Sequence, residues 1–275
     1  MSLNPLKNLA ASLGRKEVLV PALKTFLLKH HASPKSKAEF VVEDARLTIA
    51  TFRERAKHYN HGKDPEGEFF HPSALGGCLR ASWYQAMKAP KSGQDSGDDL
   101  LKTYITFEFG TYAHVMFQNL CEQAGLLERR EVGILDVKLK IIGHADGIVK
   151  VAGERRLLEI KTINSRGFIS LGEVKPGHLR QIHAYMKALA LQSAVVIYLN
   201  KDTSQVKEFV VRFDPAFYQE FVAARIGTFF KSVRAQRPPP QEGGNPSLAP
   251  CSYCAYQRVC HDTAASARFL KSLKP

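Results

Sequence analysis

The stretch "LLEIKTIN", Leu157 to Asn164, decides how this chain is read. Leu157, Leu158 and Ile160 mark a core strand, yet Glu159 and Lys161 stand two apart within it. Side chains alternate faces along a strand, so the acid and the base point to one side while Leu158 and Ile160 point to the other. Such a pair is either a buried ion pair or part of a site, and its neighbours decide between them. Thirteen residues before Glu159, in "IIGHADGIV", Asp146 interrupts a second apolar strand between Gly143 and Gly147.

If those two strands are neighbours, Asp146 and Glu159 lie side by side, and two buried carboxylates repel unless a cation neutralises them. Magnesium or manganese does so through carboxylate and carbonyl oxygens and leaves positions open to water or phosphate. Lys161 beside such a centre contacts a phosphate oxygen, positions an attacking water or, with a depressed pKa, acts as a base. The sequence leaves these roles open.

Outward from this strand, "VGILDVKLKIIGHADGIVKV" (132–151), "AVVIYLNK" (194–201) and "VKEFVVRFD" (206–214) are rich in Val and Ile and read as β. "HLRQIHAYMKALAL" (178–191) and "PAFYQEFVAARIGTFFKSVRAQ" (215–236) read as helices, one between strands and one after them. The order predicts an α/β domain with a central mixed sheet of about four or five strands flanked by helices. Upstream, "VEDARLTIATFRERAKHY" (42–59) and "YITFEFGTYAHVMFQNLCEQAG" (104–125) read as helices, the latter ending at a glycine. "NHGKDPEGE" (60–68) and "APKSGQDSGDD" (89–99) have loop composition, and "RPPPQEGGNPSLAP" (237–250) reads as a linker. The expected organisation is a basic helical region over 1–66, a core over 67–236, and a linker with a cysteine-rich tail over 237–275 that packs back on the core.

On the first of these helices after the central strand, Gln181 and Tyr185 share a face, with His178 one turn earlier. Leu179, Ile182, Met186 and Leu189 form the apolar stripe beside them. The Gln–Tyr stripe is therefore free to face a ligand, although a surface helix would look the same. His114 stands one turn after Gly110 in an otherwise apolar helix, as a packed core residue or as a further metal ligand.

Of the 275 residues, 39 are basic and 26 acidic, a net charge of +13 that points to a polyanionic partner, nucleic acid foremost. No apolar run approaches the ~20 residues of a membrane helix. The first 38 residues carry one acid, Glu17, and no apolar core followed by a cleavage site, so they do not read as a secretory signal and the cytoplasm is the default compartment.

Five cysteines are too few for a disulfide scaffold. Cys251, Cys254 and Cys260 form C-x2-C-x5-C after the linker, Cys78 stands far upstream in "LGGCLRASWY", and Cys121 reads as a small buried apolar residue. Three thiols crowded into a loop suit a metal, either zinc or an iron–sulfur cluster, with Cys78 as the distant fourth ligand.

With these pieces placed, the sequence resembles the PD-(D/E)XK nuclease superfamily, and more closely its RecB-like branch with a four-cysteine iron–sulfur cluster, which includes CRISPR-adaptation nucleases, AddB-type subunits and phage exonucleases. Asp146 followed by Glu159, Ile160 and Lys161 matches the D…E-x-K core; "QIHAY" matches Q-x-x-x-Y; "GTYAH" matches Gly-x-x-x-His. "SALGGCLRASWY" (73–84) resembles the segment that supplies the first cluster cysteine, and "CSYCAYQRVC" the closing triplet. The proline usual before the aspartate is absent, with His144 and Ala145 in its place.

The resemblance implies a restriction-endonuclease-like core and a metal-dependent DNA exonuclease of recombination, repair or phage- or CRISPR-type DNA processing. His114, Asp146, Glu159 and the Ile160 carbonyl would hold Mg2+ or Mn2+, with Asp146, Glu159 and Lys161 catalytic. Gln181, Tyr185 and Arg80 would position DNA, single-stranded or at duplex ends. Cys78, Cys251, Cys254 and Cys260 would bind a 4Fe–4S cluster, with structural zinc as the alternative. The rival reading keeps the fold as a catalytically weak DNA-end-binding module that acts with a helicase or recombinase.

Overall fold

The computed structural model describes residues 17–30, 34–60, 68–92 and 97–273. Residues 1–16 of the basic arm, and parts of both stretches read as loops, lie outside the described residues. Five strands lie side by side in chain order: β1 (Leu127–Asp136), β2 (Ile141–Val151), β3 (Glu154–Ile163), β4 (Ser193–Asn200) and β5 (Val206–Arg212). β3 and β4 run parallel and the other neighbours antiparallel, so the sheet is mixed, as the strand order predicts.

Helices α1 (Leu19–His30), α2 (Pro34–Asn60), α3 (Leu79–Ala86) and α4 (Gly97–Gln123) precede the sheet. A parallel pair needs a crossover, and α5 (Ser165–Ile169) with α6 (Pro176–Ala188) supplies it between β3 and β4. After β5 a helical turn at Pro215–Phe217 and a π-helical turn at Tyr218–Ala223 lead into α7 (Ala224–Arg234). The short α8 (Gln257–His261) and α9 (Thr263–Ser272) follow the linker.

The helices cover both faces of the central strands. On one face Leu157, Ala194, Val196 and Tyr198 pack with Ile182 and Met186 of α6 and with Val222 and Ile226. On the other, Leu158, Ile160, Val195 and Ile197 pack with Leu19 and Leu23 of α1 and with Ala113, Phe117 and Cys121 of α4. Burying one such aliphatic side chain contributes roughly 1.5–3 kcal/mol. A one-residue slip of β3 would exchange its faces and put Glu159 and Lys161 against α4, so the register is firmly set.

Two further contacts tie the ends of the chain to this core. Glu208 on β5 is 1% exposed and accepts the backbone N–H groups of Val18, Leu19 and Val20 at 2.8, 3.0 and 2.7 Å. One carboxylate thus satisfies the unpaired amides at the start of α1. At the other end, Trp83 and Tyr84 of α3 pack with Tyr256, Val259 and Phe269. The Tyr84 hydroxyl donates to the Val259 carbonyl at 3.2 Å.

Several element boundaries differ from the sequence reading, among them those of α4 and β1. α4 begins at Gly97, inside the stretch read as a loop to residue 99. Asp98 and Asp99 made that stretch look like a loop, yet acids suit the first turn of a helix. β1 begins at Leu127 rather than Val132, and the Asp136 carboxylate accepts the Leu139 N–H at 2.9 Å to form the turn into β2. Among the described residues no helix is long and apolar enough to cross a membrane.

Candidate active site

The paired register of β2 and β3 ends at Gly147–Leu158, and the next pair along would be Asp146 with Glu159. Instead of continuing the ladder, the Asp146 carboxylate takes the Ile160 N–H at 2.6 Å. The strands part there, and groups from both sheet faces meet in the gap. Gly147 has no room for a side chain, since a Cβ would lie 2.8 Å from the Arg129 carbonyl oxygen.

From one face α4 brings His114, whose Nδ1 is 2.9 Å from Asp146 Oδ1. From the other, α6 brings Gln181, which donates to Glu159 Oε1 at 2.9 Å and accepts from Lys161 Nζ at 3.1 Å. Lys161 Nζ also lies 2.6 Å from Glu159 Oε1. The Tyr185 hydroxyl sits 3.5 Å from Gln181 Nε2, and it is close enough to Gly143 that a Cβ there would be 3.3 Å from it. Leu179, Ile182 and Met186 are buried, as their stripe predicts, but Gln181 and Tyr185 are buried too, facing the gap rather than solvent. His178 is held by the Tyr198 hydroxyl at 2.7 Å, and burial, then Lys161 and Lys175, take its pKa down to about 3.

Charge in the gap is finely divided. Glu159 is 2% exposed, and burial first, then the Asp146 carboxylate, push its pKa up to about 7. Burial would raise Asp146 as well, but His114, Lys161 and the Ile160 N–H outweigh it and hold Asp146 below the usual carboxylate range. Burial works against the charged forms of His114 and Lys161, yet the neighbouring carboxylates prevail and raise both. In this arrangement the two carboxylates favour the charged form of Lys161. Glu159 Oε2 is buried and has no hydrogen-bond partner.

One residue of this site was not singled out by the sequence. Gln118 of α4 donates to the Asp146 carbonyl at 2.8 Å and to Glu131 Oε1 at 2.8 Å. It lies four residues after His114 on the same helix, a spacing that marks a shared face.

Arg80 is placed elsewhere. Its Nε donates to the Pro239 carbonyl at 2.7 Å and its Nη1 lies 3.9 Å from Cys260 Sγ, so its contacts are to the linker and the cysteine-rich segment. Cys78, Cys251, Cys254 and Cys260 together line a cavity of about 200 Å3. The Tyr256 N–H donates to Cys254 Sγ at 3.4 Å. Gly243 closes one side, where a Cβ would lie 2.3 Å from Cys251 Sγ. Burial, then the thiols of Cys260, Cys78 and Cys254, raise the pKa of Cys251. Cys121 lies apart in the core, its thiol pushed up to about 12 by burial and so unreactive. Among the described residues, no three His, Cys, Asp or Glu side chains converge closely enough to hold one ion.

A mixed five-stranded sheet thus carries an acidic pair and a lysine where two of its strands part. The profile of the PD-(D/E)XK nuclease superfamily matches residues 49–261, and the chain belongs to that superfamily. No curated protein matches the sequence. The crystal structure of SSO0001 superposes with a TM-score of 0.50 at 19% identity, over 79% of this chain and 95% of that one. An alkaline exonuclease, LHK-Exo from Laribacter hongkongensis, gives a TM-score of 0.43 at 17% identity, over 62% of this chain and 90% of its own. Its complex with dAMP gives 0.44 at 18% identity over the same shares, 62% and 90%. At these identities the likeness is one of fold.

Proposed function

We propose that this nuclease-superfamily chain is a Mg2+- or Mn2+-dependent deoxyribonuclease that hydrolyses phosphodiester bonds from DNA ends, chemistry that recombination, repair and phage- or CRISPR-type DNA processing all require. The observation that carries the reading is Glu159 Oε2, a buried carboxylate oxygen without a partner, beside the half-buried carboxylate of Asp146. A divalent cation satisfies both, and Asp146, Glu159, the Ile160 carbonyl and His114 are the groups that would hold it. Such an ion would supply charge neutralisation and a more acidic bound water.

The chain's own residues divide the remaining work. Lys161, held between Glu159 and Gln181, is suited to hold a phosphate oxygen and align a water. Gln181 fixes Lys161 and Glu159 relative to each other, and Tyr185 backs Gln181. Gln118 keeps the Asp146 backbone in place. The basic balance of 39 against 26 residues favours salt-sensitive attraction to a phosphate backbone.

At the cysteines we propose a 4Fe–4S cluster, with structural zinc as the alternative. The four thiols line one cavity, with an N–H···S bond to Cys254 and a guanidinium near Cys260. Such contacts are among those that tune iron–sulfur sites.

The test of function is digestion of end-labelled single- and double-stranded DNA with Mg2+ or Mn2+ by the wild type and by Lys161→Ala. The variant should be slower by roughly a hundredfold or more. Equal digestion by both would remove the site. Tight salt-dependent binding with no hydrolysis of any DNA would support the end-binding module instead.

A further inference from the structure

α4 reaches beyond the sheet it packs on. Residues 105, 109, 113, 117 and 121 follow one another at four-residue spacing, each step turning the row about 40° around the helix, so that it winds from the sheet to the open side. The inner members Ala113, Phe117 and Cys121 are 6%, 6% and 0% exposed, packed on the sheet. Ile105 and Phe109 continue the row but are 54% and 56% exposed. Tyr104, Phe107 and Tyr112 add to this exposed apolar half of the helix. Large apolar side chains left this exposed along one end of a helix are a candidate binding surface.

Under the overhang lies a cavity of about 340 Å3. Ile105, Thr106 and Phe109 form its roof, and Thr162, Ile163 and Asn164 one wall, with Lys201 and Asp202 at its rim. Its size is that of a small-molecule subsite, and its lining is an aromatic and aliphatic roof with polar groups at the edge. The wall is the direct continuation of Lys161 along β3. Two strand residues span roughly 7 Å, and α4, which lines the cavity, also carries His114 to Asp146 in the gap, so a nucleotide that runs from the gap along α4 comes to this cavity.

We propose that the cavity under α4 is a nucleobase subsite, in which Phe109 stacks on an unpaired base of the DNA strand adjoining the scissile phosphate and Lys201 faces its backbone. The proposal rests on the nuclease reading and adds the substrate class: single-stranded DNA, or an end that frays. A base that enters the cavity is out of its stack and out of its pair. The features combined here, an aromatic face, a cation and a net positive chain, are those by which single strands are bound without sequence preference. Asp202 does not oppose the strand as a bare charge, because its Oδ2 accepts the Ser165 N–H at 2.7 Å.

The experiment measures binding of a short fluorescent single-stranded DNA by anisotropy, with EDTA present to prevent cleavage, for the wild type and for Phe109→Ala and Phe109→Trp. The same strands carry one abasic nucleotide, moved position by position. Phe109→Ala should weaken binding of the intact strand by roughly tenfold, and Phe109→Trp should restore it. One abasic position should weaken the Phe109-containing protein by a similar factor while costing Phe109→Ala nothing further. Equal binding with and without the Phe109 side chain, or an equal loss on intact and abasic strands, overturns the subsite. Conversion of an oligomer to a monomer by Phe109→Ala, with DNA affinity unchanged, also overturns it and makes the face a protein contact. Phe109 is outside the packed core, so loss of folding does not confuse the result. Cleavage by the wild type, assayed in parallel, reports on the nuclease reading alone: it can persist while the subsite fails, and the binding data stand if it is absent.

Discussion

With Glu159 ionised, two carboxylates face each other where β2 and β3 part, and Lys161 compensates only in part. The folded state holds the Glu159 proton more tightly than the unfolded chain does, from an ordinary 4.5 up to about 7. Because the folded pKa is raised, stability from this group is full in acid and is lost as pH rises from about 4.5 through about 7. Glu159→Gln should therefore flatten the pH dependence of unfolding between pH 5 and 8, by on the order of 1–3 kcal/mol, and abolish cleavage. Denaturant midpoints at the two pH values are the check, and an unchanged slope would show that the charge is relieved another way. At this scale the sequence went far. The two-residue spacing of Glu159 and Lys161 set them on one face, and a single apolar interruption in the preceding strand marked Asp146. Gln118 was harder to see because a glutamine in an apolar helix is unremarkable until the His114 face is known. Arg80 went the other way, since a motif match does not reveal that its side chain turns to Pro239 and Cys260.

α6 presents Gln181 and Tyr185 at the right depth because its first turn lies against the short 3-10 segment at Pro72–Gly76 with no side chain between them. A Cβ on Gly177 would come within 2.5 Å of the Gly76 Cα, and backbone cannot give way as a flexible side chain would. Gly177→Ala should lever α6 outward, cost about 1–3 kcal/mol in stability and lower the cleavage rate by more than the loss of folded protein explains. Thermal unfolding combined with rates per folded molecule separates the two effects, and a variant with wild-type rates would show that α6 can shift freely. The strands and α6 were legible because their apolar patterns serve one core. The start of α4 was not, because composition cannot tell a polar helical turn from a loop. That helix is also partly exposed, so its outer half lacks the one-sided pattern by which packed helices are recognised.

Across the whole molecule, Cys78 at the start of α3 meets three cysteines from beyond the linker, and the catalytic sheet lies between them in the chain. Arg225 strengthens the same closure, with its Nη1 2.7 Å from Glu242 Oε1 in the linker. If the four thiols hold a 4Fe–4S cluster, anaerobically prepared protein should be brown and absorb near ~400 nm. Cys254→Ser should bleach it, and limited proteolysis should then enter residues 237–273 before the sheet. A colourless wild type with one zinc per chain would sink the cluster. Cysteine spacing suggested that the four belong together, and they do line one cavity; which group they would hold is not encoded in spacing.

The separation of Cys78 from Cys260 bears on how the protein is made. Domains begin to fold from the N-terminal side during synthesis, so His114, Asp146, Glu159, Lys161 and Gln181 can assemble while the ribosome is still adding the linker. The thiol cavity is complete only when residue 260 has emerged. If the cysteines take up a metal, as proposed, loading is thus a late maturation step, acting on a nascent chain in which the candidate site can already have formed.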